Sequence, residues 1–148
     1  EQGFADEVIN IDRYVKPITI SAVIINLDWA KNNPEDAEKY YVATQRAARD
    51  YCRAYHFGSN RKEIIDIIVK YELETRSEVI ERYQWPSRNA SGGYVDKKNI
   101  LDIQRVFNQE GLIKTVQPIE RLVTDHYADV AMKQLGPFQV NSNIEGCR

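Results

Sequence analysis

The stretch NPEDAEKYYVATQRAARDYCRAYHFG, residues 33–58, carries the signals for one long helix at both of its ends. Asn33 is a typical N-cap, Pro34 suits the first helical position, and the acidic residues that follow favour the positive end of the helix dipole. Gly58 marks the stop. Helical spacing between these ends predicts a core-packing face, composed of Ala37, Tyr40, Tyr41, Thr44, Ala47, Ala48, Tyr51, Cys52 and Tyr55.

Two shorter helices are predicted next in the chain. Asn60 and Glu63 have the spacing of a capping box, and so do Thr75 and Glu78. The second of these helices should stop before Trp85, which a proline follows. The first is expected to bury Ile64, Ile67, Ile68 and Tyr71.

Two last helices are predicted after a polar, glycine-rich loop at residues 87–93. Asp96 caps the first of them and Gly111 closes it, and the other runs from about residue 124 to residue 135. Helix is therefore expected over most of residues 34–135. The tail, residues 138–148, has no periodicity and is expected to be loosely ordered.

Strands are expected only near the N-terminus, at residues 8–11 and 18–25. Residues 18–25 change from alternating to wholly apolar, as in a strand that enters a covered part of a sheet. Two strands alone are marginally stable, so their partners must come from elsewhere. A second copy of the chain could supply them, and we expect a homodimer that buries Ile20, Val23, Ile24 and Ile25. The expected fold class is mainly α, with one or two short N-terminal strands.

The charge balance argues against a nucleic-acid partner, and the hydropathy argues against a membrane-spanning segment. The chain has 148 residues, with 20 Lys and Arg against 22 Asp and Glu, and so offers no basic field for the phosphates of a nucleic acid. Its longest apolar run, residues 22–27, is far shorter than the roughly 20 residues of a transmembrane helix. We expect neither nucleic-acid binding nor a membrane span.

The two cysteines lie outside any metal or redox motif. Cys52 falls in the long helical pattern, where a small buried group is its commonest role, and Cys147 lies in the tail, where its pairing stays open. Two free thiols are the simplest interpretation. His56 and His126 likewise lack ligand spacing from another His or Cys, and a solvated helix start explains Asp125 and Asp129 better than a cation site does. No metal is expected.

No known catalytic pattern is present, so we expect no enzyme, no catalytic residue and no cofactor. Two carboxylate pairs, Glu78 with Glu81 and Asp102 with Glu110, are interpreted as solvated helix faces. The glycosylation triplet at residues 89–91 is common by chance, and Gly92-Gly93 alone is a weak ligand signal. Core packing is the expected role of Trp29 and Trp85.

Several separate segments resemble one protein family. ISAVII at residues 20–25, WA at 29–30 and NPE at 33–35 are similar to a strand and helix start in the C-terminal part of substrate-binding proteins of ABC importers, of the nitrate, sulfonate and taurine type. This group also contains the thiamine-precursor synthases. GGYVD at residues 92–96, followed by a helix and by GLI at 111–113, is the most specific match. Together the matches span residues 20–137.

The resemblance implies that residues 1–137 form the C-terminal portion of a two-lobed α/β fold of the periplasmic-binding-protein type. It implies a partner permease in the membrane, a small anion or nitrogenous precursor as the solute, and a periplasmic or other extracytoplasmic location, with or without a lipid anchor. The strands at residues 8–25 would join the sheet of the first lobe. The ligand-contacting residues stay unassigned, since the N-terminal half of these proteins supplies much of the contact. The cysteine-rich motif of the synthases has no counterpart here.

One alternative comes from a different functional class. A free-standing helical interaction or regulatory domain could present its tyrosine-rich first helix to a protein partner. The nine tyrosines of the chain make this interpretation worth testing.

Overall fold

A computed structural model describes residues 21–71, 74–83, 85–141, 143 and 146–147. The chain divides into two units: a larger unit of residues 25–94 and 124–148, and a smaller unit of residues 1–24 and 95–123. The described part is mainly helical, as predicted, and contains no strand. Its elements are α1 Leu27–Asn32, α2 Pro34–Tyr55, α3 Arg61–Lys70, α4 Ser77–Arg82, α5 Lys97–Gln109, a 3-10 helix Ile119–Arg121, and α6 His126–Leu135.

Helix α2 confirms the prediction made for residues 33–58, with two corrections. Pro34 and acidic residues occupy the first turn, but the Asn33 side chain makes no cap bond and instead donates to the Trp29 carbonyl. The buried face is also rotated from the expected one, because Val42, Gln45 and Arg49 are buried beside the small residues. The predicted core residue Tyr40 is exposed.

Helix α6 packs along α2 in the larger unit. The contact buries Ala37 on α2 and both Ala128 and Ala131 on α6. Small side chains at such positions let two helix axes approach closely. The predicted α6 is confirmed, and Gly136 ends it with a positive φ of 67°, which favours glycine.

Arg49 of α2 donates hydrogen bonds to the carbonyl groups at the C-terminal end of α6. Its guanidinium donates to the Leu135 carbonyl at 2.8 Å, to the Gly136 carbonyl at 2.6 Å, and through Nε to the Ala90 carbonyl at 3.3 Å. The last carbonyls of a helix have no partner inside the helix, so a buried helix end needs donors of this kind. Arg49 thereby joins α2, α6 and the loop before residue 92.

A second core cluster lies where α2, α3 and α4 meet, and contains Ala54, Ile65, Ile80 and Trp85. The prediction that Trp85 is a core residue is confirmed, whereas Ile67 and Tyr71 are exposed. Neither predicted capping box forms: Asn60 donates instead to the Asp50 carbonyl, and the N-cap residue of α4 is Arg76.

Residues 21–27 differ most from the sequence-based expectation. Residues 21–25 form no strand, and the rest of the predicted strands, residues 8–11 and 18–20, lies outside the described residues. A strand forms only with a pairing partner, and the described chain offers it no sheet. Helix α1 was not predicted. Asn26 caps it by accepting a bond from Trp29 N at 2.9 Å, and this placement leaves Trp29 partly exposed rather than in the core.

The smaller unit is built on α5. The predicted cap is confirmed, since Asp96 accepts a bond from Asn99 N, and Gly111 follows the helix at φ 71°. Gln104 is the one buried residue in its described part, and its amide bonds both the N–H and the carbonyl of Gln117. None of the helices in the described residues combines the length and the apolar composition that a bilayer crossing requires.

Candidate functional site

An apolar pocket of about 330 Å³ lies in the larger unit, beside the second core cluster. Helix α2 contributes one wall and α3 another, and the rest comes from the segment between α3 and α4, from α4 and from the chain that follows it. The pocket volume falls within the range of small-molecule sites. The walls consist of Tyr51, Ile68, Glu74, Val79, Ile80, Tyr83, Trp85 and Pro86.

Two aromatic rings that line this pocket pack against each other. The centroids of Tyr51 and Trp85 lie 5.2 Å apart, with ring planes tilted by 34°. Their polar atoms are already bonded, because Trp85 Nε1 donates to the Ile80 carbonyl and Tyr51 Oη donates to the Pro86 carbonyl, each at 2.8 Å. Burial raises the pKa of Tyr51 above its ordinary value. The pocket therefore presents ring surface and aliphatic surface.

Among the described residues, one charged side chain lines the pocket. The carboxylate of Glu74 accepts bonds from the Arg76 backbone N–H and from both Nε and Nη2 of its guanidinium, at 3.0 to 3.1 Å. These bonds hold the pKa of Glu74 at about 2, so the carboxylate is ionised at neutral pH. Arg76 compensates its charge.

A second polar cluster surrounds Gly92 and Gly93, the weak ligand signal noted in the sequence. Tyr41 Oη donates to the Gly93 carbonyl at 3.1 Å, and a Cβ at Gly93 would overlap the Gln45 amide. Gly93 has φ 73°, which also favours glycine. The Gln45 Oε1 atom is buried without a hydrogen-bond partner. The glycines therefore serve close packing of the loop against α2.

The residues considered for metal binding lie next to this cluster. Asp129 accepts a bond from Tyr94 Oη at 2.7 Å, which raises the pKa of Tyr94, and His126 Nε2 lies 2.9 Å from Glu38 Oε1. In the described ranges no group of three or more His, Cys, Asp or Glu side chains is close enough to hold a metal ion. Of the carboxylate pairs, Asp102 is bonded to Lys98 and Arg105, which lower its pKa.

The cysteines correct the sequence-based interpretation. Cys52 and Cys147 are joined in a disulfide, with Cα atoms 5.3 Å apart, and both are fully buried. They are therefore not free thiols. His56 Nε2 lies 2.9 Å from the Cys147 carbonyl, and the Phe138 ring lies against Arg49 and Arg53. The two cysteines are 95 positions apart in the sequence, and no local sequence pattern predicts a disulfide between such distant positions.

In comparisons with known proteins, no family model, no curated protein and no solved structure matches this chain.

Proposed function

We propose that this chain is part of the solute-binding component of an ABC importer that works outside the cytoplasm and performs no catalysis. The solute would be a small anion or a nitrogenous precursor, of the sulfonate, nitrate, taurine or pyrimidine type, delivered to a membrane permease. The motivation is the resemblance over residues 20–137. The proposed protein is larger than the helical chain described, with two lobes that close around the solute.

The observation that carries the proposal is the buried disulfide between Cys52 and Cys147. Disulfides persist in secreted, periplasmic and surface proteins and are rare in the reducing cytosol. Burial also protects this one, since exchange needs access of a thiolate to a sulfur atom. An exported binding protein meets these conditions, so the disulfide supports the proposed location outside the cytoplasm.

The interaction-domain alternative receives less support from the tyrosines of α2. Tyr41 and Tyr51 bond backbone carbonyls within the larger unit, and Tyr55 packs against its core clusters. Only Tyr40 is mainly exposed, at 59%. A helix that uses most of its tyrosines internally has few left for a partner.

The apolar segment before α1 supports the existence of a covering partner. Ile24 is 94% exposed, and Val23, which directly precedes it, is also exposed. Contiguous exposed apolar residues mark an interaction surface. In the proposed protein, strands of the first lobe would cover them. When those strands are missing, a second copy of the chain would do so. Light scattering should then detect a dimer that Ile24→Lys disrupts and that the control Leu112→Lys, at another exposed apolar site, leaves intact.

The decisive experiment uses the protein encoded by the whole gene, including any coding sequence upstream of Glu1. We expect an export signal and further βα units there, recovery outside the cytoplasm, and micromolar calorimetric binding of one of the named solutes. The 148-residue chain alone should bind none of them, because such a cleft needs two walls. A cytosolic protein without these units would contradict the proposal, and pyridoxal phosphate absorbance would indicate the synthase branch.

A further inference from the structure

We propose that the pocket between α2, α3 and α4 binds a neutral planar aromatic molecule of about the size of an indole ring. Tyr51 and Trp85 would supply the aromatic surface, and Ile68, Val79 and Ile80 the aliphatic walls. The described residues that line this site all belong to the larger unit.

The size of the pocket fits this class of ligand. Apolar cavities of about 150 Å³ hold a benzene ring, and this pocket measures about 330 Å³. A bicyclic ring therefore fits with room at the opening. Aromatic rings prefer offset or tilted partners at centroid distances of about 4.5 to 7 Å, the arrangement that Tyr51 and Trp85 already adopt with each other. The guanidinium of Arg61 lies 4.3 Å from the Trp85 ring centroid, and that of Arg88 lies 5.6 Å from the Tyr51 ring centroid. A bound ring would therefore contact only the parts of the two rings that line the pocket.

The hydrogen bonds of the walls argue for a neutral ligand. The side-chain donors of Tyr51 and Trp85 are both committed to backbone carbonyls, so neither is available to an anion. The carboxylate of Glu74 adds a negative charge to the pocket lining, and its bonds to Arg76 leave it little capacity for a ligand donor. Burying an unpaired charge is costly, whereas burying an apolar ring is favourable.

The test is ligand-observed NMR on the oxidised chain with indole as the probe and methanesulfonate as the anionic comparison. We expect indole to bind with a Kd in the millimolar range or tighter and methanesulfonate not to compete with it. Val79→Trp should fill the pocket and weaken indole binding at least tenfold. Its control, Val106→Trp, adds the same ring on an exposed position of α5 and should leave the affinity unchanged.

A milder pair of variants keeps the test decisive if Val79→Trp fails to fold. Tyr83→Ala removes an exposed wall ring, at 65% exposure, and should weaken indole binding about two- to tenfold, as expected for one aromatic contact. Tyr71→Ala removes an equally exposed ring, at 69%, from outside the pocket and should have no effect. Failure of indole to bind, equal weakening by both members of a pair, or competition by methanesulfonate would overturn the inference. None of these outcomes depends on whether the whole protein transports a solute.

Discussion

Helices α2 and α5 differ in burial although both have clear start and stop signals in the sequence. Helix α5 has the better cap, because Asp96 bonds into its first turn, whereas Asn33 makes no such bond to α2. Yet α2 buries Ala37, Val42 and Cys52, while Val106 and Phe107 of α5 remain 53% and 44% exposed. A good cap specifies where a helix begins, but burial requires a partner with a complementary face.

In the larger unit, α2 packs against α6, against the loop at Ala90 and against Cys147 of the tail. All described buried apolar residues of the chain belong to this unit. In the described smaller unit the one buried residue is Gln104, whose amide pairs with the backbone of Gln117. We therefore expect changes in the larger unit to affect global stability and changes in the smaller unit to act locally.

The largest expected effect is that of removing the disulfide. Cys52→Ser combined with Cys147→Ser should lower the free energy of unfolding of the larger unit by about 2 to 5 kcal/mol, toward the upper end because the closed loop is long. Urea denaturation followed by circular dichroism measures it. Adding reductant should destabilise the native chain similarly and leave the double variant unchanged. A loss below about 1 kcal/mol would mean that the disulfide does not stabilise this unit.

A smaller loss is expected at Arg49. Arg49→Met keeps a long apolar stem but leaves the Leu135 and Gly136 carbonyls without their charged donor, which should cost about 2 to 4 kcal/mol. The control, Arg46→Met, lies on the exposed side of the same helix and should change stability by less than about 0.5 kcal/mol. Equal effects of the two variants would mean that the hydrogen bonds of Arg49 do not stabilise the contact between α2, α6 and the loop at Ala90.

Substitutions of Gly93 in the larger unit and of Gly111 in the smaller unit compare the two units directly. Both have positive φ, at 73° and 71°, but a Cβ at Gly93 would overlap Gln45, and one at Gly111 would meet no atom within 4 Å. Gly111→Ala should therefore cost about 1 kcal/mol from backbone strain, and Gly93→Ala about 2 to 3 kcal/mol. Thermal unfolding measures both. Equal losses would mean that the loop at Gly93 is not packed against α2.

Much of the helical architecture was predictable because helix boundaries are local. The proline at the start of α2, the Asp96 cap of α5 and the glycines near the helix ends placed α2, α5 and α6 within a few residues. The other features depend on residues that are distant in the sequence but close in space. The disulfide joins distant positions, the pocket is assembled from three helices, and a charged Arg49 is buried because α6 ends beside it. Helix α1 had a signal in Asn26, but the apolar residues before it favoured a strand.

The smallest expected effect is a pH dependence at Glu74. Its folded-state pKa of about 2 lies below the ordinary value of 4.5, so its stabilising contribution is present above about pH 4.5 and is lost as the pH falls toward 2. Glu74→Gln should lower the melting temperature slightly at pH 7, and the difference from the native chain should vanish near pH 2. Glu78→Gln, an exposed change on α4, serves as the control. A difference that is constant with pH would contradict the role of the charge.

The most direct test of the account is a thiol count on the protein taken from the cells that produce it. The disulfide both closes the core of the larger unit and supports the proposed location outside the cytoplasm. Acid quenching, denaturation and alkylation, followed by mass measurement of the peptides that contain Cys52 and Cys147, report their state in the cell. We predict that neither cysteine is alkylated unless reductant is added first. Two alkylated cysteines per chain without reductant would contradict the account.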